Sequence, residues 1–280
     1  MRVISWNCRR ARAKSDIWRR ILELKPDVAV LQEVSSLPRS ISKTFSARIA
    51  PCRNKKGGLQ SFKSVLLVNG IIESEDVLHS SMSWVNSELQ NFAGDLLTCT
   101  AVMRNSLRLI ITNVHSPAWP IDRTRMALVD TAGIKLVLNK DVWVGDILWH
   151  SLRTMLPETT APWIVAGDFN LSETFDSWKG GPRGNAEYLE RMGNLGLVEC
   201  LRKSNDHLTP TYLNKDRKGF VHQIDHMFVT MDLAETLTSS VVGPHADVLE
   251  AKLSDHLPII SDFQQFGCQS IRDRPNKSLQ

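Results

Sequence analysis

Cysteine is scarce in this chain and scattered: Cys8, Cys52, Cys99, Cys200 and Cys268 are the only five in 280 residues, with no CxxC or CxxH spacing. An odd, dispersed set argues against a disulfide framework or a zinc site, so reduced thiols in a cytoplasmic protein are expected. No apolar run approaches the roughly 18 residues that a membrane span needs, so no membrane partner is expected. The opening Met1-Arg2-Val3-Ile4-Ser5-Trp6-Asn7 turns polar too soon for a signal peptide. No repeat recurs at a fixed period and no break in composition marks a linker. One domain over residues 1–264 with a flexible tail at 265–280 is therefore expected. No oligomerisation face is readable, and a monomer is expected.

What is present is ordinary in bulk and unusual in placement. Hydrophobic residues make up 42% and charged residues 23% of the chain, which are globular values. Apolar runs repeatedly end in polar side chains that strand propensity alone would not put there. The clearest is Trp163-Ile164-Val165-Ala166-Gly167-Asp168-Phe169-Asn170, a buried strand that presents an acid and an amide two residues apart. Asn7 ends a first strand, Glu33 closes Val28-Ala29-Val30-Leu31, Asp225 opens Met227-Phe228-Val229, and Asp255-His256 precedes Leu257-Pro258-Ile259-Ile260. Each has a bland reading as a turn residue or a structural ion pair. Together they imply one pocket, because a lone buried carboxylate must meet a cation or titrate.

The coarse pattern has strands at 2–6, 27–31, 65–68, 96–103, 107–114, 163–166, 224–230 and 259–263. A helix capped by Ser15 runs to Leu24 and is stopped by Pro26; another begins near Arg123, breaks near Gly133 and resumes over 142–155; a third spans 186–195. Residues 35–60 read as an irregular excursion. Strands that occur both in runs and alternating with helices point to two sheets with helices packed outside.

Carboxylates with an amide and neutral histidine, and no cysteine cluster, suit a hard oxygen-preferring ion, Mg²⁺ or alternatively Mn²⁺. Such an ion polarises a phosphoryl oxygen while an Asp activates water and a His stabilises charge. Trp6-Asn7, Leu31-Gln32-Glu33, Asn113-Val114-His115, Gly167-Asp168-Phe169-Asn170, Gln223-Ile224-Asp225-His226 and Ser254-Asp255-His256-Leu257-Pro258 follow one another in an order that resembles the endonuclease/exonuclease/phosphatase superfamily of DNase I-like enzymes. The resemblance extends over residues 1–263. It implies an α/β fold, a four-layered sandwich of two mixed sheets flanked by helices, and divalent-metal-dependent phosphoester hydrolysis.

Carried over position by position, the resemblance implies Glu33 as principal metal ligand with Asn7 beside it and Asp255 nearby. It implies Asp168 as the group that activates water, Asn170 as a phosphate stabiliser, His256 as the phosphate-contacting histidine oriented by Asp225, and His115 as a second histidine. Where abasic-site endonucleases of the superfamily carry Tyr-x-Pro-Asn, this chain has His115-Ser116-Pro117-Ala118. Gln223 stands where an Arg is common and His226 where an aromatic often follows. Pro117-Ala118-Trp119-Pro120-Ile121-Asp122-Arg123 resembles an inositol-polyphosphate 5-phosphatase signature, but precedes the Gly-Asp-x-Asn element rather than following it and is read as coincidence.

Substrate identity rests on the surrounding loops. The net charge of +4 leans weakly toward polyanions, and the distribution says more. Arg9, Arg10, Arg12 and Lys14 follow Asn7 at once, where they could hold phosphates flanking the scissile one; Arg123 and Arg125 are further candidates. Trp84, Trp119, Trp143 and Trp178 are candidates for base stacking. A nuclease on DNA or RNA is the leading expectation. The alternatives are a phosphatase or phosphodiesterase on a small or lipid-linked phosphate, and a non-catalytic nucleic-acid-binding module. The last is disfavoured because no site residue is missing.

Overall fold

Parity along the strands sorts the side chains into layers before any packing is considered. The computed structural model describes residues 1–178, 183–214 and 219–264; the tail expected from 265 lies outside the described residues. In chain order the elements are β1 (Arg2–Ala11), α1 (Ile17–Leu24), β2 (Val28–Val34), α2 (Arg39–Thr44), β3 (Ser46–Arg53), β4 (Leu59–Val68), β5 (Gly70–Asp76), α3 (Ser83–Asn91), β6 (Leu96–Met103), β7 (Arg108–His115), α4 (Arg123–Met126), α5 (Val144–Met155), β8 (Trp163–Asp168), α6 (Asn185–Asn194), β9 (Leu197–Glu199), α7 (Cys200–Asn205), β10 (Tyr212–Asn214), β11 (Gly219–His222), β12 (Asp225–Thr230), α8 (Met231–Ala234), β13 (Leu237–Val242) and β14 (Ile259–Phe263).

They build two mixed six-stranded sheets, ordered β13-β14-β1-β2-β4-β3 and β5-β6-β7-β8-β12-β9, and a small β10-β11 hairpin. Val3, Val28, Val30 and Ile259 of the first sheet pack against Leu97, Ile111, Ile164, Ala166 and Met227 of the second. The intervening residues Ile4, Trp6, Ala29 and Leu31 face outward onto Ile17, Trp18 and Ile21 of α1. On the other outer face Trp163, Val165 and Phe228 meet Ile147, Leu148, Tyr188 and Met192 of α5 and α6. The order is helix, sheet, sheet, helix, the four layers expected from the sequence. Among the described residues no helix is long and apolar enough to cross a membrane.

Several local expectations are corrected. The helix after Pro-free Ser15 begins at Ile17; Asp16 occupies the cap and the Ser15 hydroxyl instead accepts from Arg12 N–H at 2.9 Å. Residues 35–60 are not irregular, since they hold α2, β3 and the start of β4. β3 is an edge strand, where Pro51 is tolerated because its missing N–H faces no partner. The helix from Arg123 stops after one turn at Met126, because the following segment has no buried face; Leu128 is 97% exposed.

Behind the second sheet, Asp146 of α5 is buried. Its Oδ2 accepts from Trp143 N–H at 2.8 Å and its Oδ1 has no hydrogen-bond partner. Burial pushes this carboxyl up to about 7, only partly offset by the Trp143 hydrogen bond. Near pH 4 the unfolded chain ionises Asp146 while the folded chain keeps it neutral, so stability falls as pH rises from 4 toward 7 and levels off above. Asp146→Asn keeps the acceptor and removes the buried charge. At pH 8 it is expected to stabilise the protein by on the order of 2 kcal/mol, with no gain at pH 4, as measured by urea denaturation.

Candidate active site

At one end of the interface between the sheets the inward-facing positions turn from apolar to polar while the parity continues. β1 runs Val3, Ser5, Asn7; β7 runs Leu109, Ile111, Asn113, His115; β8 runs Ile164, Ala166, Asp168. Register then aligns the polar ends. His115 pairs with Asp168 across the parallel β7–β8 ladder, and Asp225 pairs with Asp168 across the antiparallel β12–β8 ladder. Three titratable side chains thus stand abreast on neighbouring strands. Deeper in, the buried amides of Gln32 and Asn113 join the sheets through a 2.8 Å hydrogen bond.

A bulge supplies the opposite wall. The β1–β2 register jumps from Asn7↔Gln32 to Ala11↔Val34, so Cys8, Arg9 and Arg10 are accommodated opposite Glu33 alone. Arg9, Arg10 and Glu33 take φ of 47°, 60° and 51°, the left-handed region that costs non-glycine residues energy. Arg9 N–H donates to Asn7 Oδ1 at 3.0 Å, which ties the bulge to the site. The distortion turns Glu33 and the two arginines toward the cleft instead of leaving them in the ladder.

Asn7, Glu33, His115, Asp168, Asn170, Asp255 and His256 line one cleft of about 570 Å³, together with Arg9 and Arg10. Asn7 Nδ2 donates to Asp168 Oδ2 at 3.0 Å and lies 3.5 Å from Glu33 Oε1. Asp168 Oδ1 accepts from Asn170 N–H at 2.9 Å, an Asx turn, while Asn170 Nδ2 donates to Ser116 O at 2.7 Å. The turn reading and the site reading of Gly-Asp-x-Asn therefore coexist. Gly167 lies opposite Val114, where a Cβ would fall 1.9 Å from the Val114 carbonyl oxygen.

His256 Nδ1 meets Asp225 Oδ2 at 2.9 Å, and its Nε2 lies 3.9 Å from Asp168 Oδ2. Ser254 Oγ donates to Asn7 O at 2.7 Å and accepts from His256 N–H, and Trp6 Nε1 donates to His256 O at 2.9 Å, so the Asp255-His256 segment is fastened to β1. Burial by itself would lower the His256 imidazolium, but the adjoining Asp225 and Asp168 carboxylates override it and push it up to about 9. Burial raises Asp168 above the usual carboxylate range, with His256 pulling the other way.

Two partners carried no sequence signal. Asp95, just before β6, meets His115 Nδ1 at 3.2 Å; burial would lower that imidazolium, but the Asp95 hydrogen bond, joined by Cys52 and Asp168, holds it well above its ordinary value. Thr211 donates to Asp225 Oδ2 at 2.7 Å. Neither lies in a motif; only the register of distant segments brings them in. Conversely, Arg12 is exposed outside the cleft. Arg123 pairs with Asp141 and faces a different cavity, and Arg125 is held by Glu88 at 3.0 Å. Of the four tryptophans considered for stacking, Trp119 lines the cleft, while Trp84 and Trp143 do not and Trp178 stacks on His222.

The cleft suits a hard cation. Glu33 is half-buried, and the nearest positive groups, Arg10 Nε and His115 Nε2, stand 3.8 and 3.9 Å away. Its carboxylate faces the cleft with only these long ion pairs, beside Asn7, Asp168 and Asp255, the last 3.6 Å from Arg9 Nε, a donor set of oxygens without sulfur.

A family model described as the endonuclease/exonuclease/phosphatase family matches residues 4–256. Comparison with curated protein sequences finds no match. Among solved structures, the chain is similar to the 3′-5′ exonuclease NExo from Neisseria meningitidis, at 16% identity and TM-score 0.64, covering 95% of this chain and 100% of that one. An AP endonuclease from Archaeoglobus fulgidus gives 17% identity, TM-score 0.64 and the same coverages. The Xenopus laevis APE2 catalytic domain gives 15% identity and TM-score 0.66, over 94% of this chain and 91% of that one.

Proposed function

The chain belongs to the endonuclease/exonuclease/phosphatase family, and from that premise we propose that it is a Mg²⁺-dependent phosphodiesterase whose substrate is DNA or RNA. The observation that carries this reading is the convergence in one cleft of Asn7 and Glu33 from one sheet with Asp168 from the other and His256 from the segment between β13 and β14. The similar structures support it: one is named an exonuclease, another an AP endonuclease.

In this reading Glu33, Asn7 and Asp255 hold the ion, with Mn²⁺ an effective substitute, and the bound ion would polarise a phosphoryl oxygen and stabilise the leaving oxygen. Asp168 accepts the proton of the attacking water; its burial above the usual range keeps it basic enough for that task. His256 stays cationic at neutral pH because Asp225 holds its Nδ1 proton, so its Nε2 can face the phosphoryl oxygens. Asn170 keeps its amide oxygen and one N–H for substrate after bonding Ser116. His115, braced by Asp95, lends a second positive group beside Glu33, and Arg9 and Arg10 lie where neighbouring phosphates of a strand would pass.

Asp225→Asn removes the carboxylate that keeps His256 protonated. The alkaline limb of the rate profile, set near pH 9 in the parent, is expected to move down toward the ordinary histidine range, with kcat lower by about 10²-fold at pH 8. The pH dependence of single-turnover cleavage checks this.

A substrate panel at fixed Mg²⁺ tests the class: single- and double-stranded DNA, RNA, an abasic duplex and soluble phosphomonoesters, each with EDTA. Polynucleotide cleavage abolished by EDTA, with affinity falling steeply in salt, is expected. Turnover of phosphomonoesters alone, with polynucleotides untouched, would replace this reading by a small-molecule phosphatase.

A further inference from the structure

The far edge of the His115 ring holds a second constellation of different chemistry. Cys52 of β3, Asp95 and His115 each place a ligand atom within 4.8 Å of the others, and all three are buried. The His115 Nδ1 to Asp95 Oδ1 separation is 3.2 Å. Two ligands that each stand about 2.0 Å from a tetrahedral ion lie roughly 3.3 Å apart, so this pair already has the required spacing. Cys52 Sγ has Ser64 Oγ at 3.4 Å, a hydroxyl on the same side. Sequence spacing hid the set, because its members come from three strand regions.

Sulfur, imidazole and carboxylate are a donor set for zinc and its heavier relatives, whereas the catalytic cleft offers oxygen donors suited to magnesium. We propose that Cys52, Asp95 and His115 form an inhibitory site for a thiophilic divalent ion, Zn²⁺ or Cd²⁺, separate from the hard-cation site. His115 lines the cleft and is the member through which the ion reaches the others. Binding expels the Cys52 thiol proton and the proton held between His115 and Asp95, and sulfur, nitrogen and oxygen each donate a lone pair to the ion. His115 is then fixed through Nδ1 to the ion, and its ring, whose Nε2 lies 3.9 Å from Glu33 Oε1, can no longer adjust to a phosphate in the cleft. The inhibition rests on the catalytic reading of the cleft; the occupancy of the site does not.

The experiment titrates Cd²⁺ into the full-length protein at saturating Mg²⁺, following the ultraviolet thiolate-to-cadmium charge-transfer band alongside strand cleavage. The expected result is a band that saturates at one ion per chain while cleavage falls in step. Cys52→Ser loses the band and needs at least about tenfold more Zn²⁺ for half-inhibition, whereas Cys200→Ser, outside the cleft, behaves as the parent. A band that survives in Cys52→Ser, or unchanged Zn²⁺ potency in that variant, overturns the proposal. Should Cys52→Ser misfold, Zn²⁺ protection of Cys52 from alkylation in the parent, read by peptide mass, replaces it: protection supports the site, and its absence refutes it. A band in a protein that cleaves nothing would leave the site standing and the catalytic reading fallen.

Discussion

Asp168→Asn is expected to abolish cleavage by about 10³-fold or more while the protein still folds and still binds nucleic acid. Asp168 is 2% exposed and is joined to both sheets: by Asn7 from one, and by its strand neighbours His115 and Asp225 in the other. Its replacement by Asn removes the basicity and the acceptor that Oδ2 offers to Asn7 Nδ2. The amide oxygen can still accept from Asn170 N–H, and relief of the buried carboxylate offsets the lost Asn7 bond, so the melting temperature changes by only a few degrees. Loss of a general base gives 10²–10⁴-fold effects as a rule. Here the change should fall on kcat, leaving the affinity for uncleaved strand within a few-fold. Stopped-flow cleavage and binding by the same variant separate the two. An equal loss in both would mean that Asp168 binds rather than reacts.

Gly167→Ala is the second large effect, and it reaches the site through the backbone. Gly167 has φ of 148°, and a Cβ would lie 1.9 Å from Val114 O, 2.7 Å from Val114 C and 2.9 Å from Val114 N. Those atoms are main chain in the adjacent strand, so no side chain can rotate away. β7 and β8 must part where His115 and Asp168 are aligned. A cost of about 3 kcal/mol or more is expected, a fall in melting temperature on the order of 10 °C for a chain of this size. Displacement of Asp168 should also lower kcat by about 10²-fold. Gly133→Ala is the control: its φ of 74° is also left-handed, but a Cβ there meets nothing within 4 Å. Its cost should stay near 1–2 kcal/mol from backbone strain alone, with activity unchanged. Equal losses in the two variants would show that the steric account of Gly167 is wrong.

The division between what could and could not be read in the sequence follows burial. β14, β1, β2 and β4 in one sheet and β6, β7, β8 and β12 in the other are interior strands, and each shows an apolar run or alternation that marks it. The four edges, β13, β3, β5 and β9, were not legible. β5 reads Gly-Ile-Ile-Glu-Ser-Glu-Asp with little of it buried, and β3 carries Arg48 and Pro51. Charge and proline on an edge discourage pairing with other chains, and they erase the pattern that identifies a strand. α1, α5 and α6 were visible because each packs a continuous apolar face; the start of α4 at Arg123 was also legible, but not its end after one turn, since it has no buried residue.

The site was more legible than the fold around it. Asn7, Glu33, Asp168, Asn170, Asp255 and His256 stand out as polar residues closing buried runs, and the structure gathers them in one cleft. Their supports are invisible in one dimension. Asp95 meets His115 because β6, which it precedes, pairs with β7, and Thr211 meets Asp225 because the segment before β10 folds back onto the start of β12. The arginines divide by the β1 bulge: Arg9 and Arg10, inside it, line the cleft, whereas Arg12, beyond it, does not.

A crystal of the protein soaked in Mn²⁺ gives the most direct test of a single hard-cation centre. Anomalous difference density should show an ion about 2.0–2.2 Å from a Glu33 carboxylate oxygen, inside the cleft shared with Asn7 and Asp168, and Glu33→Gln should abolish it. Density elsewhere on the surface, or a peak unchanged in Glu33→Gln, would contradict the assignment of this cleft.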